Sequence, residues 1–306
     1  MAQTGTIGDK VFRTILVIAA AIILVIVVTI IFMMVWNALP TIRNFGLGFL
    51  TGREWIPADN IFGALPFIYG TVVSSLIALV ISVPISVGIA VFLVEQAPKK
   101  ISTPIGFMVE LLAAIPSVVY GLWGIFVLAP FVRDYLGVFL EKYFGWLPLF
   151  QGRLTGIGML TGGIILALMI TPIITAVVRD ILEVVPTQQR EAALALGATK
   201  WETTQIVLGN AASGIAGAVI LGLGRALGET MAITMVIGNS PQISASLFEP
   251  AYTIASVLAA NFADATDEIY LSALIEMGLV LFLVTFVVNA FAKLLVMRVG
   301  SNIKHA

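Results

Sequence analysis

The segment RDILEVVPTQQREAALALGATKWETTQIVLGN, residues 179–210, is a polar interval between two apolar stretches, and its pattern predicts two helices joined by a tight turn. Pro186 opens a short helix rich in alanine, which is a strong helix former. Gly197 stands where a helix would end with a residue at positive φ. Thr199 and Glu202 have the spacing of a capping box, which would begin a second helix. The interval is therefore predicted to be a compact helix–turn–helix elbow.

Small side chains on the first elbow helix leave a smooth surface that another protein could approach closely. They belong to Ala192, Ala193 and Ala195. From periodicity alone, an intracellular loop without a partner is the simpler interpretation, because motif-like patterns are only hypotheses. Both interpretations stay open at this point.

The composition around the elbow is that of a polytopic membrane protein. Of the 306 residues, 59% are hydrophobic and 11% are charged, and the mean hydropathy is +1.07. A soluble globular protein carries about 25% charged residues. Cysteine is absent, which excludes disulfides, thiolate metal sites and thiol catalysis. The net charge of −1 argues against binding to nucleic acid, which needs a basic surface.

Six apolar stretches are long enough to cross a bilayer, whose core of about 30 Å needs roughly 20 apolar residues in a helix. They lie at about 14–36, 67–94, 104–132, 154–178, 212–238 and 271–297. The first stretch is too long for the apolar region of a signal peptide, so we interpret it as a retained helix.

The distribution of basic residues predicts the orientation of these spans. If both termini are inside, ten of the sixteen basic residues are cytoplasmic: Lys10, Arg13, Lys99, Lys100, Arg179, Arg190, Lys200, Lys293, Arg298 and Lys304. Five are then outside: Arg43, Arg53, Arg133, Lys142 and Arg153. The long segment 239–270 carries acidic residues and no lysine or arginine, which suits the outer face. The positive-inside rule therefore predicts that both termini are cytoplasmic.

The elbow resembles the EAA loop of ATP-binding cassette (ABC) importer permeases. Residues 191–193 read Glu-Ala-Ala, Gly197 follows six residues after Glu191, and Ile206 stands at the family's later isoleucine position. Gly209 replaces the proline of the family pattern, which affects the local helix geometry after the elbow.

The resemblance implies that this loop, at about residues 186–209, is a coupling helix that docks into a groove on an ATP-binding subunit. In that case Glu191 and Gly197 fix the elbow, while Ala192 and Ala193 lie at the close contact.

Further stretches over nearly the full length resemble the permease subunits of phosphate-specific ABC transporters. They are Phe45–Trp55, Phe62–Ser75, Glu110–Gly124 and GLGRALGETMA at Gly222–Ala232. The spacing of the last run favours the C-type over the A-type subunit. The resemblance implies an all-α membrane protein with the type I ABC importer permease fold, in a single transmembrane domain over 1–306. Its permease core would span about 67–297, with an extra N-terminal helix at about 14–36.

The resemblance also implies partners. They are a second homologous permease of the A type, two ATP-binding subunits and an extracytoplasmic phosphate-binding protein, assembled in a bacterial cytoplasmic (inner) membrane. The chain contains no G-x-x-x-x-G-K-[ST] run, so it cannot cradle ATP phosphates through a P-loop. No cofactor is expected on this chain, and ATP-Mg would be bound by a partner subunit.

Arg225 and Glu229 are the only charged residues between Asn210 and Gly238. Arg225 lies about 13 residues from each end of the predicted fifth span, which is near mid-depth. An arginine there costs at least roughly 2.5–3.5 kcal/mol, so it should face the bundle interior or a water-filled path. Glu229 is four residues later on the same helical face, and the pair lowers the cost of burying either charge.

Two interpretations of this pair stay open on the residues alone. The pair could only fix helix register, or Arg225 could present positive potential to a permeating oxyanion while Glu229 holds the guanidinium. The planar guanidinium fork suits tetrahedral oxyanions. With the phosphate-family resemblance we favour a substrate pathway of Arg225, Glu229 and Thr230, since ionisable residues inside membranes mark pathways by default.

Other residues near the spans carry weaker signals. Gly224 and Gly228 form a small-xxx-small pair on which another helix could pack. Glu110 and Glu276 are weaker pathway candidates, each expected to lie at an interface or to cap a helix.

Three further functions compete with phosphate import. Import of sulfate, molybdate or another oxyanion would use the same charged pair. An ATPase-independent secondary transporter or channel would be expected to show inverted repeats and several ionisable residues within the membrane. Only one charged pair and no clear inverted repeat are found, and the elbow would have no purpose. A non-transporting scaffold or sensor is the third.

Overall fold

The computed structural model describes residues 7–303, and their side chains except those of Ile7, Lys10 and 295–303. Lys304, which contributes to the predicted orientation, lies outside the described residues, as does the side chain of Arg298.

The described chain is mostly helical, which confirms the all-α prediction, with one short two-stranded hairpin and irregular segments between helices. Its first helices are α1 (Ile7–Phe45), α2 (Gly48–Thr51), α3 (Leu65–Val91), α4 (Lys99–Ala113), α5 (Ser117–Trp123), α6 (Ala129–Phe131) and α7 (Gly137–Phe144). The others are α8 (Met159–Val184), α9 (Thr187–Ala195), α10 (Lys200–Leu227), α11 (Met231–Val236), α12 (Ile254–Asn261) and α13 (Glu268–Ile303). Strands β1 (Trp55–Ile56) and β2 (Ile61–Phe62) pair antiparallel. Three π-helical turns continue these helices, at Phe92–Gln96, Gly124–Leu128 and Val132–Leu136.

Within the described residues, six helical stretches are long and apolar enough to cross a membrane, as predicted. They are Val11–Phe45, Leu65–Gln96, Ser117–Phe144, Met159–Val184, Lys200–Leu227 and Glu268–Leu294. The second, fourth and sixth agree with the predicted spans to within about six residues.

The third span was placed wrongly, at 104–132. The first part of that range belongs to the separate helix α4, because Pro116 lacks an N–H and disfavours helical geometry in the residue before it. The span itself begins at Ser117 and continues to Phe144 through two π-helical turns. Arg133, predicted to lie outside the membrane, falls within this span and pairs with Asp134 at 2.7 Å.

The fifth span was also placed wrongly, at 212–238. Helix α10 starts at Lys200, directly after the elbow, and ends at Leu227. Gly224 and Gly228 weaken the last helical turn, since glycine is a poor helix former. The chain resumes as the short helix α11 after Thr230, so the predicted span is in fact two helices with a break between them.

Helices α3, α8 and α10 form the central core. α3 packs along α8, and the Ser86 hydroxyl donates a hydrogen bond to the Thr171 carbonyl at 3.0 Å, next to Pro172. A second cluster joins the hairpin and α12 to the first turns of α13, and a third joins α5, α8 and α11.

Gly222 allows α10 to approach α8 closely. A Cβ atom at this position would lie 2.6 Å from Cδ1 of the fully buried Ile174. At Gly224, by contrast, a Cβ would meet no heavy atom within 4 Å, so the small-xxx-small face predicted at Gly224 and Gly228 is open in the described chain.

We expect Gly222→Ala to lower the free energy of unfolding of the chain in detergent by about 1–3 kcal/mol, because it overpacks the contact with Ile174. Gly224→Ala is the matched control, and it should leave stability unchanged or raise it by up to about 1 kcal/mol through helix propensity. Denaturant unfolding of both variants measures the difference. Equal stability of the two would contradict the close α10–α8 contact.

Candidate functional site

The elbow has the geometry that its sequence predicts. Gly197 follows α9 with a φ of +84°, and its N–H donates to the Leu194 carbonyl at 3.0 Å. The capping box is present: the Thr199 hydroxyl accepts from the Glu202 N–H at 3.3 Å. The Thr199 N–H in turn donates to the Glu202 carboxylate at 2.7 Å. Gly197 and the capping box of Thr199 and Glu202 therefore fix the path of the chain from α9 into α10.

The outer surface of the elbow is open and partly apolar. Glu191 and Ala192 are exposed, and so are Leu194 and Leu196, the latter to 90%. Ala193, predicted to lie at the contact with a partner, is buried within this chain instead. Of the two alanines predicted at the contact, only Ala192 is therefore on the open surface, beside the exposed leucine pair.

Arg190, which was counted only for its charge in the sequence, holds the elbow in place. Its guanidinium donates to the Glu95 carboxylate at 2.8 Å and to the carbonyls of Leu182 and Val185 at 2.9 and 2.6 Å. Glu191, predicted to fix the elbow, makes no hydrogen bond or ion pair with the described residues. A sequence signal existed, because Glu95 is the only charged residue between Leu65 and Pro98 and a carboxylate there needs a cation.

A cavity of about 520 Å³ lies beside this ion pair. It lies between the end of α3, α9 and the first turns of α10. Its lining is Glu95, Gln96, Arg190, Leu194, Lys200, Trp201, Thr203 and Thr204.

The second predicted site lies at the break between α10 and α11. The Arg225 Nη2 and Glu229 Oε2 atoms are 3.3 Å apart, with the arginine side chain 49% exposed and the glutamate side chain 3% exposed. The other Glu229 oxygen accepts a hydrogen bond from the Ala232 N–H at 3.3 Å, at the start of α11. Glu229 is thus fixed by two groups, and it holds the guanidinium at an open face of the chain.

The position of Arg225 within its helix differs from the predicted one. It lies in the last turn of α10, not in the middle of a helix. One turn earlier, Gly222 contacts Ile174 and Ile170, which are near the centre of α8. α10 therefore ends beside the middle of α8, and the end of the helix presents carbonyl groups that favour a cation.

Thr230, the third predicted pathway residue, is engaged with nearby backbone. Its hydroxyl donates to the Gly228 carbonyl at 3.2 Å, and its own carbonyl accepts from the Thr234 hydroxyl at 2.5 Å. These bonds stabilise the break in the helix.

The two weaker candidates differ in their surroundings. Glu110 accepts a hydrogen bond from Arg179 at 2.8 Å at the junction of α4 and α8, an interface position as predicted. Glu276 was expected at an interface or a cap, but it is buried on α13. Its Oε2 atom has no hydrogen-bond partner among the described residues.

Comparisons with known proteins identify the family. The model of the family described as "Binding-protein-dependent transport system inner membrane component" matches residues 82–301. The chain is 48% identical to the phosphate transport system permease protein PstC of Xylella fastidiosa, over 95% of this chain and 91% of the relative. It is 43% identical to PstC 2 of Mycobacterium tuberculosis, over 86% and 83%.

More distant proteins share the same fold. The chain is 36% identical to the probable PstC permease of Methanocaldococcus jannaschii, over 88% of this chain and 87% of that protein. A solved inward-facing structure of the MetNI methionine ABC transporter superposes with a TM-score of 0.57 at 17% identity, over 76% of this chain and 94% of that one. The fold is therefore that of a type I ABC importer permease. The chain belongs to the inner membrane components of binding-protein-dependent transport systems and, within them, to the family of PstC permeases.

Proposed function

We propose that this chain is a transmembrane permease subunit of an ATP-driven phosphate importer. The observation that carries the proposal is Arg225, half-exposed where α10 ends beside the middle of α8, and held by the buried Glu229. The relatives named above are phosphate transport permeases, and a guanidinium fork suits a tetrahedral oxyanion. In this proposal Arg225 attracts phosphate and Glu229 positions the guanidinium. Thr230 maintains the break between α10 and α11 that exposes Arg225.

ATP hydrolysis would be coupled to this chain through the elbow. Two ATP-binding subunits, which hold ATP-Mg, would engage the surface formed by Glu191, Ala192 and the apolar tip at Leu194 and Leu196. Gly197 supports this proposal because its left-handed conformation turns the chain there. This chain would bind no cofactor itself, and hydrolysis would belong to the partner subunits.

A second permease of the PstA type would complete the pathway. The open face of α10 supports this, since Arg225 and the empty space above Gly224 lie on it. An extracytoplasmic phosphate-binding protein would deliver substrate to the outer side. The chain would lie in a bacterial inner membrane, and the distribution of basic residues supports an orientation with both termini in the cytoplasm.

Import of sulfate or molybdate is the nearest alternative, because the charged pair alone does not distinguish one oxyanion from another. We expect proteoliposomes that contain the whole complex to take up phosphate only when ATP and the binding protein are present, and to exclude sulfate. Radiolabelled uptake of both anions measures this. Sulfate uptake would favour another oxyanion, and uptake without the ATP-binding subunits would favour a secondary transporter or channel.

A further inference from the structure

Glu95 lies at the inner end of α3 in an unusual turn. Residues Phe92–Gln96 form a π-helical turn, and the Ala97 N–H donates to the Phe92 carbonyl at 2.8 Å. Such a turn holds more residues than an α-helical one, so it rotates the positions that follow, and it is often found at functional sites. Here the Glu95 carboxylate faces α9, and its side chain is only 10% exposed.

Arg190 connects three helices, through this carboxylate and through two backbone carbonyls. From α9 it reaches Glu95 at the end of α3, and it also reaches the Leu182 and Val185 carbonyls at the end of α8. The last carbonyls of a helix lack partners within the helix, so a cation that binds them is favoured. The arginine therefore ties α9 to the inner ends of two spans at once.

Outside Arg190, one side-chain hydrogen bond in the described chain joins α9 to a membrane helix: the Asn210 amide of α10 donates to the Gln189 side-chain carbonyl at 2.7 Å. Ala193 is the only buried residue of α9, and the cavity of about 520 Å³ lies between its Arg190 and Leu194 side, the end of α3 and the first turns of α10. Its two ends, at Pro186 and Gly197, are turns. Because apolar packing is slight, the Arg190 guanidinium and its three partners carry most of the connection of α9 to α3 and α8.

We propose that Glu95 and Arg190 form a strut that transmits movement of the coupling helix to α3 and α8. They are positioning residues, and the strut rests on the proposed function, since it requires an ATPase that moves α9. Without the strut, α9 would still present its outer surface to the ATP-binding subunits, but its displacement would no longer pull on the spans. ATP hydrolysis would then continue with less transport.

The test compares phosphate uptake with ATP hydrolysis in proteoliposomes of the whole complex. Arg190→Gln should lower the phosphate transported per ATP hydrolysed by about tenfold, inside the usual range of coupling between sites. The ATP-binding subunits should still co-purify with this variant. Glu95→Gln, which keeps the size of the side chain, should lower the ratio less, because the carbonyl contacts remain. The double variant should be no worse than Arg190→Gln, since both changes break one connection.

Arg133→Gln is the matched control. Arg133 also binds a carboxylate, but the pair is exposed and joins adjacent residues, so the ratio should not change. An unchanged ratio in Glu95→Gln and Arg190→Gln, an equal loss in Arg133→Gln, or multiplying losses in the double variant would overturn the strut. If Arg190→Gln does not assemble, Glu95→Gln decides alone. A wild-type complex without ATP-dependent uptake would instead overturn the proposed function.

Discussion

Arg225→Gln should abolish phosphate uptake while the complex still assembles. Arginine donates charge-assisted hydrogen bonds, each of which contributes about 1.5–3 kcal/mol, so losing them should lower uptake about 100-fold. Glutamine keeps much of the side-chain length and can still occupy the space beside Glu229. Uptake in proteoliposomes and co-purification of the partners measure the two outcomes separately.

Arg225→Lys separates recognition of the anion from support of the helix end. Lysine keeps the positive charge near Glu229 and near the carbonyls that end α10, but it lacks the planar fork. We expect assembly to be normal and uptake to be clearly reduced with lysine. Normal uptake by Arg225→Gln would show that the pair serves only to hold α10 and α11 together.

Ala192→Glu should prevent the ATP-binding subunits from docking. Ala192 is exposed on α9 beside Glu191, and both alanine and glutamate favour a helix, so the elbow itself should persist. A bulky charge forced into a close interface costs several kcal/mol, so affinity should fall by about 100-fold or more. Co-purification of the ATP-binding subunits with the permease measures the loss.

Ala192→Ser is the control for this change, because it stays small and uncharged and should leave docking intact. A charge at Ala193 would be a poor test, since that side chain is buried and its substitution would unfold the elbow. Normal docking of Ala192→Glu would contradict the proposed contact surface.

The local signals in the sequence were sufficient for the elbow. Gly197 and the capping box of Thr199 and Glu202 act through backbone hydrogen bonds within a few residues, so spacing alone predicts them. The six spans followed from length and hydropathy. Hydropathy could not place the break at Gly228, because α11 is as apolar as the helix before it.

Long-range contacts were the part that the sequence did not predict. Arg190 and Glu95 are 95 positions apart, and only the packing of α3 beside α8 brings them together. The burial of Ala193 rather than Ala192 likewise depends on which face of α9 turns towards the bundle. Family resemblance gives residue types for such a surface but not the side on which each residue lies.

The open face of α10 also has a consequence for biosynthesis. A newly made chain without its partner would expose Arg225 to lipid hydrocarbon at a cost of at least roughly 2.5–3.5 kcal/mol. Orphan subunits would therefore be poorly stable in the membrane and good substrates for quality-control proteases. In the proposed complex, the cell would have to synthesise the two permease chains in balanced amounts, because an unassembled chain would expose Arg225.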